Sequence, residues 1–205
     1  MSQSNVRRSS GRRVQQKKTN TNRNLIIAAV VGVVLIMVAA GIALSRSSAS
    51  ANIAGQQQFP NLVPPPTSPH IAEVTSPHGP YNSNPPTSGW HYGGGTAPWG
   101  VQTQPIADEL SVHNLEHGGV IIHYRQGLDQ ATVDQLTSLT RELQQQSPCI
   151  VLLPRPADKM TESPIAVTAW TWLLRQDSFD AGTIRAFFRA HVDQGPEHVG
   201  CQLRS

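Results

Sequence analysis

The fold is decided by the stretch VIIHYRQGLDQATVDQLTSLTRELQQ, residues 120 to 145. Its opening run, Val120 to Tyr124, is aliphatic and aromatic apart from one histidine, which favours a strand. The following run, Asp129 to Gln145, carries aliphatic residues at positions 133, 136, 139 and 143, the spacing of one helix face. This stretch therefore predicts a strand followed directly by an amphipathic helix.

Three more elements are predicted after this pair. The apolar runs Ile150 to Leu153 and Ile165 to Trp170 are short and bounded by prolines, which favours strands, and Ala181 to Val192 has an apolar helical face. The order β-α-β-β-α is typical of an α+β open sandwich, with helices on one face of a small mixed sheet. The loop-rich segment before residue 120 is expected to cover an edge or the other face.

The N-terminal part has a different composition. Residues 1–24 contain seven Lys and Arg and no acidic residue, and the run Leu25 to Leu44 contains twelve Leu, Ile or Val and no charge. Twenty such residues are long enough to cross a bilayer, and flanking basic residues favour the cytoplasmic side. We therefore expect a cytoplasmic tail, a single transmembrane helix at 25–44 in the lipid bilayer, and an extracytoplasmic remainder. The sequence Ala49-Ser50-Ala51 leaves a cleaved signal peptide as the alternative.

The remainder divides into two predicted parts. Residues 45–80 are rich in proline and lack hydrophobic periodicity, which is typical of an extended stalk, and residues 81–205 can form one folded domain. Residues 45–205 contain nine basic and thirteen acidic residues, a net charge of −4. An acidic body is not expected to bind nucleic acid.

The chain has two cysteines, Cys149 and Cys201. This number excludes a four-cysteine zinc ribbon and an iron-sulfur cluster held by four thiolates. In an oxidising compartment a single disulfide is expected, with copper or zinc thiolate ligation as the alternative.

The sequence HNLEH at 113 to 117 is the strongest indication of a functional site in the chain. On a helix His113, Glu116 and His117 would share a face, whereas on a strand only the two histidines would. Imidazole nitrogens bind Zn or Cu, and a third ligand can come from His91, His123 or an acidic residue. We therefore predict a metal site, Cu or Zn, at His91, His113, Glu116 and His117, with Glu116 as a ligand or as a residue that orients one.

Two other interpretations of this segment stay open. H-x-x-E-H is also the pattern of inverted zinc peptidases, in which the glutamate is the general base and a distant acid such as Glu197 would complete the site. Alternatively the histidines are buried and only tie loops together through hydrogen bonds. Whether the protein is an enzyme is left undecided. The remaining histidines are not expected to be ligands: two are assigned to the stalk and two to a helix end or the surface (His70 and His78; His191 and His198).

Several blocks of the sequence resemble a known family. YNSNPPTSG at 81 to 89 with His91-Tyr92, VHNLEHGGV at 112 to 120, Ala169-Trp170 and Gly195-Pro196-Glu197 are similar to the bacterial domain of unknown function 3105. The resemblance covers about 80 to 200 and implies a membrane-anchored protein without an established activity. Two departures are visible: Trp90 stands where the family pattern has Pro, and Thr171 where it has Gly.

The loop that precedes HNLEH supports a second functional hypothesis. Its block NPPTSG at 84 to 89 suits a rigid ligand-presenting loop or a structural turn. Trp90, Tyr92 and Trp99, if exposed, would bind a partner protein of the cell envelope or a glycan. The alternative function is therefore an envelope interaction module whose His-Glu cluster is structural.

Overall fold

The structure, a computed structural model, describes residues 53–204. Within that range the chain forms an α+β fold, as the sequence predicts, with three α-helices and eight strands. The helices are α1 (Asp108–Glu116), α2 (Gln130–Gln146) and α3 (Ala181–His191). The strands are β1 (Gln56–Gln58), β2 (His70–Ile71), β3 (His91–Tyr92), β4 (Gly100–Val101), β5 (Val120–Arg125), β6 (Ile150–Arg155), β7 (Ile165–Ala169) and β8 (Trp172–Gln176).

Six strands form one mixed sheet in the order β1-β8-β7-β5-β6-β4. Strands β4, β6 and β5 are parallel, and the pairs β5-β7, β7-β8 and β8-β1 are antiparallel. The parallel pair β5 and β6 is connected through α2, because parallel neighbours need a crossover. Strands β2 and β3 form a separate two-stranded parallel sheet.

The main hydrophobic core lies between the large sheet and helices α2 and α3. It joins Leu136 and Leu143 of α2 with Phe187 and Phe188 of α3 and the inward residues of β5, β6 and β7. Successive residues of a strand point to opposite faces, so Ile121, Val151 and Leu153 face away from these helices. There they pack with Leu115 of α1. The expectation of helices on one face thus holds for α2 and α3, whereas α1 and the loops cover the other face.

Strand β8 was not predicted. The run from Ile165 to Trp170 forms a strand only as far as Ala169, which pairs with Trp172 across the turn residues Trp170 and Thr171. Thr171 has φ +64°, a left-handed conformation that tight hairpins usually give to Gly or Asn. The turn therefore lacks the residue types by which a hairpin is recognised in a sequence.

The segment assigned to a stalk packs on the domain where the structure describes it, from residue 53 to 80. Strand β1, with sequence QQQ, pairs antiparallel with β8, with Gln56 opposite Leu174. Strand β2 pairs with β3, with His70 opposite His91. Both additions are made through backbone hydrogen bonds at strand edges, which need no hydrophobic pattern. This part of the chain is therefore not an extended stalk.

The predicted cytoplasmic tail and transmembrane helix, residues 1–24 and 25–44, lie outside the described residues. Between residues 53 and 204 no helix has the length and apolar character needed to cross a membrane. The bilayer anchor therefore stays a prediction.

The expected disulfide is present between Cys149 and Cys201. It connects the start of β6 to the C-terminal tail, and it uses both cysteines of the chain. Thiolate ligation of copper or zinc, the alternative, is therefore wrong for this structure.

Candidate metal centre

Helix α1 carries HNLEH. It spans Asp108–Glu116, with His117 as the C-cap residue, so the helical interpretation of this segment is confirmed. Asp108 and Glu109 lie in its first turn, where acidic side chains interact favourably with the helix dipole. The helix ends at Glu116, and the φ of +80° at Gly118 allows the N–H of the next residue, Gly119, to bond back to the Asn114 carbonyl at 2.8 Å. His113, Glu116 and His117 consequently lie together at the C-terminal end of the helix.

The two-stranded sheet brings two more histidines to the same place. His70 of β2 and His91 of β3 are direct partners in the ladder, and their ring centroids lie 4.8 Å apart. The His91 side chain is fully buried, whereas that of His70 is 43% exposed. One imidazole thus lies inside the cluster and the other at its rim.

The carboxylate of Glu116 lies among three of these imidazoles. Its Oε2 atom is 2.8 Å from Nε2 of His91 and 3.3 Å from Nε2 of His70. Nε2 of His113 lies 3.9 Å from the same oxygen, beyond hydrogen-bond distance. All four donor atoms lie within 4.8 Å of one another, an arrangement that could hold a metal ion.

Backbone carbonyls determine which nitrogen of two rings carries the proton. Nδ1 of His91 lies 2.8 Å from the Gly89 carbonyl oxygen, and Nδ1 of His113 lies 3.0 Å from that of Gly95. A carbonyl oxygen only accepts, so each Nδ1 is the donor. In the neutral tautomer Nε2 of His113 then keeps a lone pair directed into the cluster, whereas Nε2 of His91 shares a proton with the Glu116 carboxylate, which a metal ion would displace.

The loop whose Gly95 carbonyl accepts a hydrogen bond from His113 is itself attached to α1. The side-chain amide of Asn114 accepts a hydrogen bond from the Ala97 N–H at 2.8 Å and donates one to the Ala97 carbonyl at 2.9 Å. This pair fixes the loop two residues from the Gly95 carbonyl. The orientation of the His113 ring is therefore set by packing within the domain rather than by solvent.

Burial and neighbouring charge shift the pKa values of the central residues. Burial lowers the pKa of His113, and the charges of His117 and His91 add to this effect. For Glu116 burial favours the neutral acid, but the hydrogen bonds and charges of His91 and His70 outweigh it and lower the pKa. A neutral imidazole and an ionised carboxylate are the forms that bind metal ions.

A second group of donors adjoins the first. His113, Glu116, His117 and Glu197 also have donor atoms within 4.8 Å of one another. Oε2 of Glu197 lies 3.2 Å from Nε2 of His117, and these side chains are 48% and 21% exposed. The acid considered from the sequence as a distant ligand is therefore next to HNLEH in space.

The family model for proteins of unknown function called DUF3105 matches residues 75–202. The chain belongs to this family. No curated protein and no solved structure matches the chain. The DUF3105 match includes every candidate ligand named above except His70, which lies five residues before it.

Within this DUF3105 domain, the predicted site residues His91, His113 and Glu116 lie in the first donor group, and His117 lies in the second group, which shares His113 and Glu116. His70 also lies in the first group, contrary to its assignment to the stalk. Sequence reasoning missed it because a two-residue strand has no periodicity, and its pairing with β3 spans 21 positions of the chain. The one available signal in the sequence was that His70 and His91 are each followed by a residue that favours a strand, Ile71 and Tyr92.

The other histidines lie elsewhere. His123 is buried in β5, where its Nε2 lies 3.0 Å from the Thr168 hydroxyl oxygen, so it is not the third ligand. His78 lies against Glu109, and His198 is a surface residue. His191 is at a helix end, as predicted, but is buried.

The aromatic loop is less exposed than the interaction hypothesis requires. Trp90, Tyr92 and Trp99 are all half-buried, and Trp99 packs against the hydrophobic clusters on both faces of the sheet. In the block NPPTSG the side chains of Thr87 and Ser88 are fully buried. Ser88 Oγ accepts a hydrogen bond from the Leu62 N–H, which is a structural role. The block serves the candidate site only through the Gly89 carbonyl that orients His91.

Proposed function

We propose that this DUF3105 domain binds a transition-metal ion, Cu or Zn, through Nε2 of three histidines and the carboxylate of one glutamate, residues 70, 91, 113 and 116. The observation that carries the proposal is the convergence of three Nε2 atoms on one oxygen, Glu116 Oε2, at 2.8 to 3.9 Å. Imidazole and carboxylate are ligands suited to zinc and copper.

The spacing of the donors fits such an ion. Donors at bond lengths of about 2.0 to 2.1 Å on a tetrahedron are about 3.4 Å apart. The three distances from Glu116 Oε2 bracket this value. Small side-chain rotations would therefore bring all four donors onto one ion.

Burial also supports metal binding. Glu116, His91 and His113 are each less than 10% exposed, so an ion bound there would be held by protein donors in a largely water-excluded position. His70, at the rim, gives the ion a route from solvent. A buried carboxylate is costly unless a cation compensates its charge, and a divalent ion would do so.

We further propose that the domain lies outside the cytoplasm, held at the lipid bilayer by residues 25–44. The disulfide between Cys149 and Cys201 supports this, because such bonds persist mainly in oxidising compartments. The basic residues before position 25 support the same orientation.

The test is a titration of the full-length, metal-stripped chain in detergent with Zn(II) and Cu(II), followed by calorimetry and thermal unfolding. We expect binding that raises the free energy of unfolding by about 3 kcal/mol at free metal a hundred times the dissociation constant. His91→Gln and Glu116→Gln should each weaken binding at least about tenfold.

The matched control is His78→Gln, which removes another histidine that lies 3.0 Å from a glutamate but outside the cluster. It should bind metal like the parent chain. Absence of binding by the parent, or equal weakening by the control, would contradict the proposal.

The zinc-dependent hydrolase is the less favoured alternative. Glu197 beside His117 fits it, but the Glu116 carboxylate, its general base, lies 2.8 Å from His91 Nε2 and is thus engaged by a ligand residue. Among residues 53–204 no specific contact favours the envelope interaction module.

A further inference from the structure

The second donor group is more than a surface ion pair beside the first. His117 Nε2 and Glu197 Oε2 lie 3.2 Å apart, and the group they form with His113 and Glu116 has the same compactness as the first. Two residues, His113 and Glu116, belong to both groups. The two donor groups are therefore adjacent, with His113 and Glu116 between them.

The carboxylate of Glu116 is able to bind a cation in each of the two donor groups. A carboxylate offers two oxygens and about four lone-pair directions, so it can bind two cations at once. One oxygen, Oε2, already faces His70 and His91. His113 has one free nitrogen, since its Nδ1 donates to Gly95, and therefore cannot bridge in the same way.

We infer that the centre holds two divalent cations side by side, bridged by the Glu116 carboxylate, with His117 and Glu197 as ligands of the second ion. This inference rests on the proposed function, because the first ion is the one proposed above. Paired metal ions in proteins lie about 3.5 to 4 Å apart. The rings of His113 and His117, one on each side, have centroids 4.4 Å apart, which matches that scale.

The backbone holds Glu197 in place for this role. The Glu197 N–H donates to the Glu116 carbonyl at 3.0 Å, and the Asp193 N–H donates to the Gly118 carbonyl at 2.8 Å. A Cβ at Gly195 would lie 2.2 Å from the Glu116 carbonyl oxygen, so the tail can approach the helix this closely only with glycine there. The segment from 193 to 197 is thus held against the end of α1 by two backbone hydrogen bonds, with Gly195 packed closely between them.

The two ions would differ in accessibility. The ligands of the first are buried apart from His70, whereas Glu197 and His117 are partly exposed. The second ion would have fewer protein donors and keep water ligands, so it should bind more weakly and exchange faster. A titration should therefore resolve a tight equivalent and a weaker one.

The experiment counts ions in the full-length chain. Zn(II) binding is measured by equilibrium dialysis with metal analysis, and Cu(II) loading by electron paramagnetic resonance. We expect about two equivalents for the parent chain, with the spin-coupled spectrum of a copper pair at the close separation typical of two-metal sites. Glu197→Gln and His117→Gln should each reduce the number to about one and abolish the coupled signal.

His198→Gln is the matched control, since His198 is next to Glu197 and its side chain is 66% exposed. It should keep both equivalents. Circular dichroism of each variant checks folding, and the exposure of Glu197 makes its replacement tolerable.

The possible results separate the two proposals. One equivalent in the parent chain, or two equivalents that persist in Glu197→Gln, would overturn the two-ion inference and leave the proposed function intact. No binding at all would overturn both.

Discussion

At the scale of single residues, Thr171 has a backbone conformation that suits glycine. Its φ is +64°, and it is held there by two hydrogen bonds: its N–H donates to the Thr87 carbonyl and its carbonyl accepts from the Phe59 N–H. A β-branched residue in this region is strained by its Cβ.

We expect Thr171→Gly to stabilise the domain by about 0.5 to 1 kcal/mol, because relief of about 1 to 2 kcal/mol of strain exceeds the added chain entropy of glycine. Thr171→Ala keeps the Cβ and should give no such gain. Urea unfolding midpoints measure both. A midpoint for the glycine variant below that of the parent would contradict the prediction.

Gly195 is required for a different reason, the close approach of two backbone segments. A Cβ there would lie 2.2 Å from the Glu116 carbonyl oxygen and 2.3 Å from the Gly118 nitrogen. Gly95→Ala is a control, because its Cβ would meet nothing within 4 Å.

We expect Gly195→Ala to lower the free energy of unfolding by about 2 to 3 kcal/mol, since backbone atoms cannot move aside as a flexible side chain can. Gly95→Ala should cost much less. Thermal and urea unfolding of the two variants measure the difference, and equal losses would show that the close approach is unimportant.

At the scale of elements, the C-terminal tail is joined to the rest of the domain just beyond its contact with α1. The disulfide attaches Cys201 to Cys149 at the start of β6, and the Ser147 hydroxyl donates to the Cys201 carbonyl at 2.7 Å. The Arg204 N–H donates to the Gln146 carbonyl at the end of α2. The tail that carries Glu197 is therefore cross-linked to the sheet and α2.

We expect the double replacement Cys149→Ser and Cys201→Ser to lower stability by about 4 kcal/mol on the chain-entropy model, given a sequence separation of 52. It should also weaken the second metal equivalent and spare the first, whose donors lie before residue 117. Urea unfolding and zinc dialysis test the two parts. Unchanged stability, or loss of the first equivalent in a folded variant, would contradict this account.

At the scale of the whole molecule, buried histidines make stability depend on pH. Burial lowers the pKa of His191 to about 4, and its ring packs against Trp172 and Phe187 while its Nε2 bonds to Gln56. Burial also lowers the pKa of His123 well below its usual value. Both histidines are neutral in the folded protein over a range in which the unfolded chain is protonated.

The folded protein should therefore lose stability as the pH falls from about 6.5 towards 4, because the unfolded state binds the additional protons. For His191 the loss amounts to about 3 kcal/mol and is complete below pH 4. Above pH 6.5 this contribution is fully retained.

We expect His191→Gln to have a flatter stability curve between pH 4 and 6.5 than the parent. Urea unfolding in the presence of a chelator measures the difference while metal binding is suppressed. If the two curves are parallel, protonation of His191 does not cause the loss of stability at low pH.

The sequence by itself determined features that depend on neighbouring residues or on the number of residues of one type. The spacing of apolar residues predicted β5, α2, β6, β7 and α3, because helix and strand periodicities are properties of neighbouring residues. The same locality put His113 and His117 on one face in either a helix or a strand, and only the structure, which forms a helix here, added Glu116 to that face. The number of cysteines, with the expected oxidising compartment, predicted the disulfide.

Only the tertiary structure decided which distant residues join that face. His70 reaches the cluster through a two-residue ladder with His91, and Glu197 reaches it through a tail held by backbone hydrogen bonds and a disulfide. Strand β8 follows a turn without turn residues, and β1 adds three glutamines to a sheet edge. These contacts depend on backbone pairing between remote segments, and such pairing leaves no periodic pattern in the sequence.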